Sequence, residues 1–346
     1  MLGTTGTSRW PAARQVAADV LDACKREVEP AMRAAVDTLP DPVRHIAGYH
    51  LGWWEPDGRP SQVGGGKAIR PALTLTAAAG VGGATGVAVP AAVAVELVHN
   101  FSLLHDDVMD RDTTRRHRPT AWSVFGASPA ILAGDALLTL AMDVLAASPA
   151  GRSGVRVLSA AVQELVDGQI ADLDFEQRSD VGIPECLHMA ECKTGALLGA
   201  ACALGAAAGG GSPAQVQELD RFGRDLGVAF QFVDDLLGIW GDPATTGKPV
   251  RNDLRCRKKS LPVVAALRSG TPAARELDLL YHRKQQFSDA ELEHVAGLVE
   301  LAGGRAWSKE RAAALLAGAL SRLGTAAPGA DAQLRALAET MVRRDR

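Results

Sequence analysis

The feature that most constrains the fold is the way proline and glycine punctuate long segments rich in alanine and leucine. Alanine and leucine favour helices, whereas strands would need β-branched residues alternating with polar ones, a pattern that is scarce here. Proline and glycine stand at the joints and rarely inside a segment. The sequence therefore predicts an all-α fold, with helix breaks at Pro30 and Pro40, one helix over residues 184–208 and a loop over residues 112–119.

Nothing in the sequence divides the 346 residues into separate domains. There is no Pro/Ser-rich linker, no repeat of fixed period and no block of like charge. We therefore expect one domain over residues 1–346, with residues 1–9 flexible. Because a chain of this length is large for one solid core, we expect a single large helical bundle around a central apolar cavity.

The composition also excludes several classes of protein. A formal net charge of −3 and an aromatic content of 4% argue against binding to nucleic acid. The five cysteines are scattered and contain no CxxC pair, which excludes a disulfide framework. The N-terminal segment MLGTTGTSRW has no apolar core of signal-peptide length, and the least charged stretch, residues 194–219, consists mostly of alanine and glycine. We therefore expect a cytoplasmic protein without an integral membrane segment.

Chemically informative residues concentrate first in the segment HDDVMDRDTTRRHRPT, residues 105–120. Asp106 and Asp110 are four residues apart, so a helix presents both on one face, with Asp107 beside them. Carboxylates at a helix C-terminus repel one another and oppose the helix dipole, and Mg²⁺ would compensate both effects. The aspartates alone are equally compatible with a solvated helix end. The arginines that follow favour a diphosphate site.

A similar combination recurs in QFVDDLLGIWGDPATTGKPVRNDLRCRKKSLP, residues 231–262. Asp234 and Asp235 close a second apolar helix, Gln231 lies one turn earlier on the Asp234 face, and a basic loop follows. A solvated helix face would rarely repeat this combination. We therefore expect the two helices to face each other across a cluster of Mg²⁺ ions that a diphosphate bridges.

A third basic segment, GGGKAIRP, covers residues 64–71 and supplies Lys67 and Arg70 after a glycine loop. Such loops can bind phosphate through backbone N–H groups, but the spacing of a Walker A motif is absent. Alone, the segment could equally be a turn before a helix. Beside two aspartate motifs, it predicts a second diphosphate site that binds the anion through basic side chains.

Taken in order, several segments resemble the trans-polyprenyl diphosphate synthases, the family of farnesyl and geranylgeranyl diphosphate synthases. They are GGGKAIRP, ELVHNFSLLHDDVMD, RRHRPT, GQIADL, KTG, FQFVDDLLG, GKP and RKKSLP. The resemblance implies the isoprenoid synthase type I fold and the head-to-tail condensation of isopentenyl diphosphate with an allylic diphosphate. It also implies a homodimer and about three Mg²⁺ ions in each active site.

The resemblance implies a role for individual residues. The isopentenyl diphosphate site would comprise Lys67, Arg70, His99 and Arg116. The allylic diphosphate site would comprise Arg115, Lys193, Lys248 and Lys258. The metal ligands would be Asp106, Asp110 and Asp234, with Asp107 and Asp235 as supporting acids, Thr194 and Gln231 near the reacting carbons, and Gln169 and Asp172 near the metals. On residue type alone, His99 would be a core histidine and Lys193 a solvated helix lysine.

The sequence departs from the family pattern in two places. Gly238 stands where the second motif usually has a third aspartate, although Asp242 lies nearby, and His117 stands where the family often has glycine. Two other functions remain as alternatives. A type I terpene cyclase shares the fold but does not need GGGKAIRP or His99, and a non-catalytic partner subunit usually lacks aspartates of the first motif.

The residues just before the first aspartate motif predict the product. Ser102 lies one turn before Asp106, about 6 Å deeper along the helix, and Phe101 projects about 100° away. In related farnesyl-forming enzymes bulky residues often fill both positions. A small Ser102 beside a bulky Phe101 resembles geranylgeranyl-forming members, so we predict a C20 product, with the C15 farnesyl diphosphate as the alternative. Both residues could instead pack in the core and leave chain length to a neighbouring helix.

Overall fold

The computed structural model describes residues 9–61, 66–242, 250–283 and 285–343. These residues form helices and one antiparallel hairpin of β1 (Thr114–Arg115) and β2 (Arg118–Pro119). The helices are α1 (Arg9–Val36), α2 (Asp41–His50), α3 (Ile69–Gly80), α4 (Val89–Met109), α5 (Ala121–Phe125), α6 (Ala127–Ala146), α7 (Gly151–Gln177), α8 (Ile183–Ala190), α9 (Ala196–Ala208), α10 (Pro213–Trp240), α11 (Asn252–Arg255), α12 (Leu261–Leu267), α13 (Pro272–Tyr281), α14 (Asp289–Leu301), α15 (Gly304–Ala326) and α16 (Asp331–Val342). The predicted all-α fold class is confirmed. Of the residues expected to be flexible, 1–8 lie outside the described part of the chain.

The predicted helix break at Pro30 is wrong, because α1 continues through this proline. The buried side chains of Cys24, Val28 and Met32 are spaced four residues apart and form one apolar stripe that passes the proline. Pro30 itself is exposed, so water can bond the carbonyl that loses its helical partner. Packing along the stripe outweighs the local cost of the proline.

Two more local predictions are corrected by the structure. The expected continuous helix over residues 184–208 contains a π-helical turn, Glu191–Gly195, which joins α8 to α9. The expected loop over residues 112–119 contains the β1–β2 hairpin. A 3₁₀ turn, Thr85–Ala88, precedes α4.

The chain divides into two compact units. The first comprises residues 1–162, 199–220 and 322–337, and the second comprises residues 163–198, 221–321 and 338–346. In the first unit, α4 packs against α3 and α6. Its apolar residues, among them Val93, Leu97, Val98 and Leu104, are almost fully buried, as expected for a helix that is apolar around most of its circumference.

The second unit contains two apolar clusters. One joins the end of α10 to α11–α14 and includes Ile239, Leu254 and Val263. The other joins α7, α8, α10, α12 and α15, and in it the ring of Phe232 lies edge-on to Trp307, with 5.4 Å between centroids. Because Phe232 lies two residues before Asp234, this cluster fixes the part of α10 that carries the second aspartate pair.

Two helical segments are long and apolar enough to cross a membrane by length and composition, Thr85–Met109 and Ala127–Ala146. The first is 67% buried in the protein and the second 39%. These segments contain α4 and α6, which pack against each other. A buried core helix satisfies the same criterion, so these segments are weak evidence for membrane insertion.

Candidate active site

The first aspartate motif occupies the C-terminal end of α4 in the first unit. Asp106 and Asp107 lie in the last helical turn and Asp110 is the C-cap residue. Asp110 is exposed and Asp106 half-buried, whereas Asp107 is buried. Asp106 and Asp110 therefore present two accessible oxygen donors on one helix face, which is the ligand chemistry that Mg²⁺ prefers.

Asp107 is 1% exposed and accepts a hydrogen bond of 2.7 Å on Oδ1 from Nε of Arg115. Its other carboxylate oxygen has no hydrogen-bond partner among the described residues. Burial raises the pKa of Asp107 to about 6, although Arg115 opposes this shift. A buried carboxylate oxygen without a hydrogen-bond partner favours a cation or a polar ligand nearby. The carboxylates of Asp106, Asp107 and Asp110 therefore fit a divalent metal ion.

The β1–β2 hairpin places the arginines that follow this motif. Arg116 and His117 form its turn, with φ of 52° and 61°. Two successive residues with positive φ are typical of the type I′ turn. That conformation explains why glycine suits position 117, and here histidine adopts it. The guanidinium of Arg118 lies 4.5 Å from the ring centroid of Tyr49 and donates to the backbone carbonyl of Trp54, so Arg118 anchors the hairpin.

Two of the predicted isopentenyl diphosphate residues, Arg70 and Arg116, interact with a half-buried acid, Glu96. The guanidinium of Arg116 contacts Gly66, and α3 begins after Ala68, whose φ is 50°. Burial raises the pKa of Glu96, while Arg70 and Arg116 act in the opposite direction. Both arginines also affect His99. The structure therefore brings Arg70, His99 and Arg116 together, and Lys67 lies exposed just before α3.

His99 is neutral, because burial and the neighbouring arginines hold its pKa well below the usual value. It can therefore offer a ring N–H as a hydrogen-bond donor but contributes no positive charge. His50, at the end of α2, is similar: burial lowers its pKa to about 3, and its Nε2 has no hydrogen-bond partner among the described residues. Sequence reasoning missed His50, because a lone histidine at a helix end carries no motif.

A cavity of about 30 Å³ lies beside these groups, which is room for a water molecule. Its lining includes His50, Asp107, Arg115 and Arg116. The two buried atoms without partners, Nε2 of His50 and Oδ2 of Asp107, therefore belong to residues that line one polar cavity. A water or an anion bound there could satisfy the histidine, and the arginines would attract the anion.

The two residues predicted to control chain length are both buried in α4. The ring of Phe101 lies edge-on to His105, with 4.7 Å between centroids, and approaches Gly134 of α6. The hydroxyl of Ser102 donates to the backbone carbonyl of His99 at 2.8 Å. The hydroxyl of Ser102 is therefore hydrogen-bonded within α4 itself, and the ring of Phe101 packs toward α6.

In the second unit, a chain of hydrogen bonds connects three predicted catalytic residues. The hydroxyl of Thr194 donates to Oε1 of Gln231 at 2.9 Å, and Nε2 of Gln231 donates to Oδ1 of Asp235 at 2.8 Å. The other oxygen of Asp235 accepts the backbone N–H of Leu261 at 2.9 Å. Asp235 thus ties α10 to the first turn of α12, while Asp234 is exposed.

The electrostatics of this region depend on four acids around one lysine, of which only Asp235 is buried. Burial raises the pKa of Asp235 to about 7. Lys258 has a raised pKa because Asp172, Asp235, Asp253 and Asp234 outweigh the effect of its burial. Lys258 is therefore a stably charged lysine beside the second aspartate motif, and a diphosphate there would have to compete with these acids for it.

Lys193 lies in the π turn, and its Nζ donates to Oδ2 of Asp172 at 2.6 Å. The backbone of this turn packs directly on two other helices, at Gly168 of α7 and Gly227 of α10. Any side chain at either glycine would collide with the backbone of the turn. Close packing against these two glycines thus holds Lys193 and Thr194 in place. No sequence motif indicated these contacts.

The departure at Gly238 has a structural counterpart. A side chain at this position would overlap the carboxylate of Asp253. Asp253, in α11, therefore fills the space that the third aspartate of the motif would need. Sequence reasoning missed this residue, because it lies in a different helix and no spacing rule connects it with position 238.

Two other predicted residues belong to this region. Gln169 is 6% exposed, and neither polar atom of its amide has a hydrogen-bond partner among the described residues. Such an amide is expected to meet water or a ligand. Lys248, predicted to bind the allylic diphosphate, lies outside the described residues.

Comparison with known proteins places the chain in a family. Residues 61–299 match the polyprenyl synthetase family. A (2E,6E)-farnesyl diphosphate synthase of Mycobacterium bovis is 49% identical over 299 residues, covering 85% of this chain and 83% of that protein. A geranylgeranyl diphosphate synthase of Mycobacterium tuberculosis is 44% identical over 329 residues, covering 94% and 93%.

A solved structure agrees with these matches. The polyprenyl synthetase of Streptomyces coelicolor A3(2) superposes with a TM-score of 0.89 at 45% identity, covering 94% of this chain and 99% of that one. The fold is thus the all-α isoprenoid synthase fold, as the resemblance implied. The chain belongs to the polyprenyl synthetase family, and its activity is that of a short-chain trans-prenyltransferase.

Proposed function

We propose that this protein condenses isopentenyl diphosphate with an allylic diphosphate, head to tail, and releases geranylgeranyl diphosphate (C20). The observation that carries the proposal is the arrangement that the last turn of α4 shares with the C-terminal part of α10. In each, an accessible aspartate precedes a buried one, and basic residues lie nearby in the same unit. Relatives named for both the C20 and the C15 product support the reaction class.

Asp106 and Asp110 would hold two Mg²⁺ ions and Asp234 a third, so about three ions would serve each active site. The donors are carboxylate oxygens, and two of the three aspartates are exposed. Asp107, beside them, has one oxygen with no hydrogen-bond partner among the residues that the structure describes. Bound Mg²⁺ would compensate the negative charge that develops on the departing diphosphate.

The basic residues would divide between the two diphosphates. Lys67, Arg70 and Arg116 would bind isopentenyl diphosphate through charge, and the neutral His99 would donate a hydrogen bond. Arg115, Lys193, Lys248 and Lys258 would bind the allylic diphosphate. Because Lys193 is already bonded to Asp172 and Arg115 to Asp107, each would reach its substrate from a fixed position, which lowers the entropic cost of binding.

The chemistry needs no nucleophilic side chain. Loss of diphosphate from the allylic substrate leaves a carbocation, and the isopentenyl double bond supplies the electron pair that forms the new carbon–carbon bond. A proton is then lost, for which the released diphosphate is a suitable base. Thr194 and Gln231 would support the charge near the reacting carbons, and apolar helix faces would exclude water, which would otherwise convert the cation to an alcohol.

The proposed C20 product rests on Ser102, which is small and buried in α4 one turn before Asp106. Ser102→Phe should shorten the product toward C15, because a ring there would fill the path along α4. Phe101→Ala should lengthen the product beyond C20. Mass analysis of the hydrolysed products tests both variants, and an unchanged distribution in both would remove the basis for the C20 product.

The reaction itself is tested by diphosphate release from an allylic diphosphate, with and without isopentenyl diphosphate and Mg²⁺. A synthase requires all three components. A terpene cyclase would release diphosphate without isopentenyl diphosphate, and a non-catalytic subunit would release none. Either result would contradict the proposal.

Three further properties are proposed with this function. We place the whole chain, residues 1–346, in one polyprenyl synthetase domain and expect it in the cytoplasm. We also propose a homodimer, supported by the exposed apolar side chains of Ile131 and Leu132 on α6, which a second copy could cover. Sedimentation velocity of the purified protein measures the oligomeric state directly.

A further inference from the structure

Three potential metal ligands of different chemistry meet in the second unit, apart from the aspartate motifs. Asp167 lies in α7, His188 in α8 and Cys192 in the π turn. One ligand atom from each lies within 4.8 Å of the other two. Cys192 is buried, whereas Asp167 and His188 are exposed, so an ion could reach the cluster from solvent.

The separations suit one tetrahedral ion. Nε2 of His188 lies 3.5 Å from Oδ2 of Asp167 and 3.7 Å from Sγ of Cys192. From the usual bond lengths to zinc, the ligands of a tetrahedral ion would be about 3.3 Å apart for nitrogen and oxygen and about 3.5 Å apart for nitrogen and sulfur. The carboxylate of Asp167 and Sγ of Cys192 lie within 4.8 Å of each other, and Sγ is 3.7 Å from both ring nitrogens of His188. Rotation of the exposed His188 side chain would turn one nitrogen toward the ion and complete the site.

The surroundings favour a cation over a simple ion pair. Three acids, Asp167, Glu164 and Glu191, lie close enough to Cys192 to act on it electrostatically. Arg224 offsets part of this negative field, since it bonds Glu164 at 2.6 Å. The carboxylates still outnumber this arginine. A cation with affinity for sulfur would relieve the repulsion and displace the thiol proton.

We propose that Asp167, His188 and Cys192 form a binding site for a borderline-soft divalent cation such as Zn²⁺, separate from the proposed Mg²⁺ ligands. Thiolate, imidazole and carboxylate together suit Zn²⁺ or Co²⁺, whereas Mg²⁺ takes oxygen ligands. Three protein ligands leave a fourth position open to water. The bound ion would join α7 to the π turn one residue before Lys193, so it would restrain the segment that carries Lys193 and Thr194.

Cobalt(II) is the probe, because a thiolate ligand gives it an intense charge-transfer absorption that aspartate sites cannot produce. The full-length protein, stripped of metals and then saturated with Mg²⁺, is titrated with Co²⁺. We expect the charge-transfer band to saturate at one ion per chain, with release of the thiol proton. A parallel Zn²⁺ titration by calorimetry in buffers of different ionisation enthalpy measures the same proton.

Cys192→Ser should abolish the band, and His188→Ala should weaken binding by at least about tenfold. Cys256→Ser is the matched control, because Cys256 is an exposed cysteine outside the cluster, and it should keep the band. The double variant Asp106→Ala/Asp234→Ala should also keep it, which separates this site from the proposed synthase function. No band in the unsubstituted protein, or an equal band in Cys192→Ser, would overturn the proposal.

Discussion

The same dipeptide occurs as Asp106–Asp107 in the last turn of α4 and as Asp234–Asp235 in α10, which continues to Trp240. The buried members of the two pairs are held differently. Within the described part of the chain, Asp107 accepts one hydrogen bond, from Arg115, and its other oxygen has no partner. Asp235 accepts bonds on both oxygens, from Gln231 and from the backbone of Leu261. In the second region the protein itself supplies hydrogen bonds to both oxygens of the buried carboxylate, whereas in the first region one oxygen can still accept a bond from a ligand.

The comparison indicates that the two aspartates of each pair have different roles. The more exposed acid is available to a metal ion, and the buried acid anchors the helix end. Burial raises the pKa of both anchors, to about 6 for Asp107 and about 7 for Asp235. The first region positions its anchor through an arginine of the β hairpin, and the second through a hydrogen-bond chain that also orients Thr194. Substitutions can therefore test the two tasks separately.

The largest effect is expected from the more exposed acid of each pair. Asp106→Ala and Asp234→Ala should each lower turnover by about a thousandfold or more, because each removes a ligand of an ion that stabilises the leaving group. Thermal stability should hold or rise, since like charges are relieved. Steady-state kinetics at saturating Mg²⁺ checks this, with Asp37→Ala, an exposed acid outside both motifs, as control. Near-normal turnover in either variant would refute the metal assignment.

The next largest effect is expected on the Michaelis constants, because a lysine of each region is predicted to bind a different substrate. Lys67→Ala should raise the Michaelis constant for isopentenyl diphosphate, and Lys193→Ala that for the allylic diphosphate, each by about tenfold to a hundredfold. A charged hydrogen bond to phosphate contributes about 1.5–3 kcal/mol, which corresponds to that range. The measurement varies one substrate at saturating levels of the other. Equal effects of either variant on both substrates would contradict the partition.

A third prediction concerns the missing aspartate of the second region. Gly238→Asp restores the usual motif, but its side chain would meet the carboxylate of Asp253. We expect a loss of about 1–3 kcal/mol in the free energy of unfolding, from overlap and like charge, and no gain in activity. Gly297→Asp, a helical glycine with open space around it, is the control. The double variant Gly238→Asp/Asp253→Gly should recover stability, and failure to do so would argue against direct replacement.

The smallest effect is expected on the pH dependence of the free energy of unfolding, to which His50 in the first region contributes. The folded-state pKa of His50 is lowered from 6.5 to about 3, so the unfolded chain binds its proton more readily. Stability from this group is complete above pH 6.5 and is lost as the pH falls toward 3, by up to about 1.4 kcal/mol per pH unit. His50→Asn should flatten this slope in denaturation curves, whereas His282→Asn, an exposed control, should not. An unchanged slope in His50→Asn would show that His50 is not buried as a neutral group.

Much of this molecule follows from local sequence. The helical class and the placement of both aspartate pairs on helices depend on composition and periodicity within one segment. The expectation that Asp234 and Asp235 close their helix is wrong, because α10 continues to Trp240. The basic segments next to these motifs are equally local. The motifs in their order also indicated the family, because several specific segments had to occur together.

Tertiary structure alone decided the remaining features, because they depend on contacts between segments far apart in the chain. Pro30 continues a helix because a buried stripe passes it, and Asp253 replaces the acid missing at Gly238 because α11 packs there. Whether Asp107 keeps an open oxygen depends on the hairpin, and the meeting of Asp167, His188 and Cys192 depends on how α7 packs beside the π turn. The sequence by itself determined which residues were present and on which helices they lay, and packing determined which of them are buried, paired or open to a ligand.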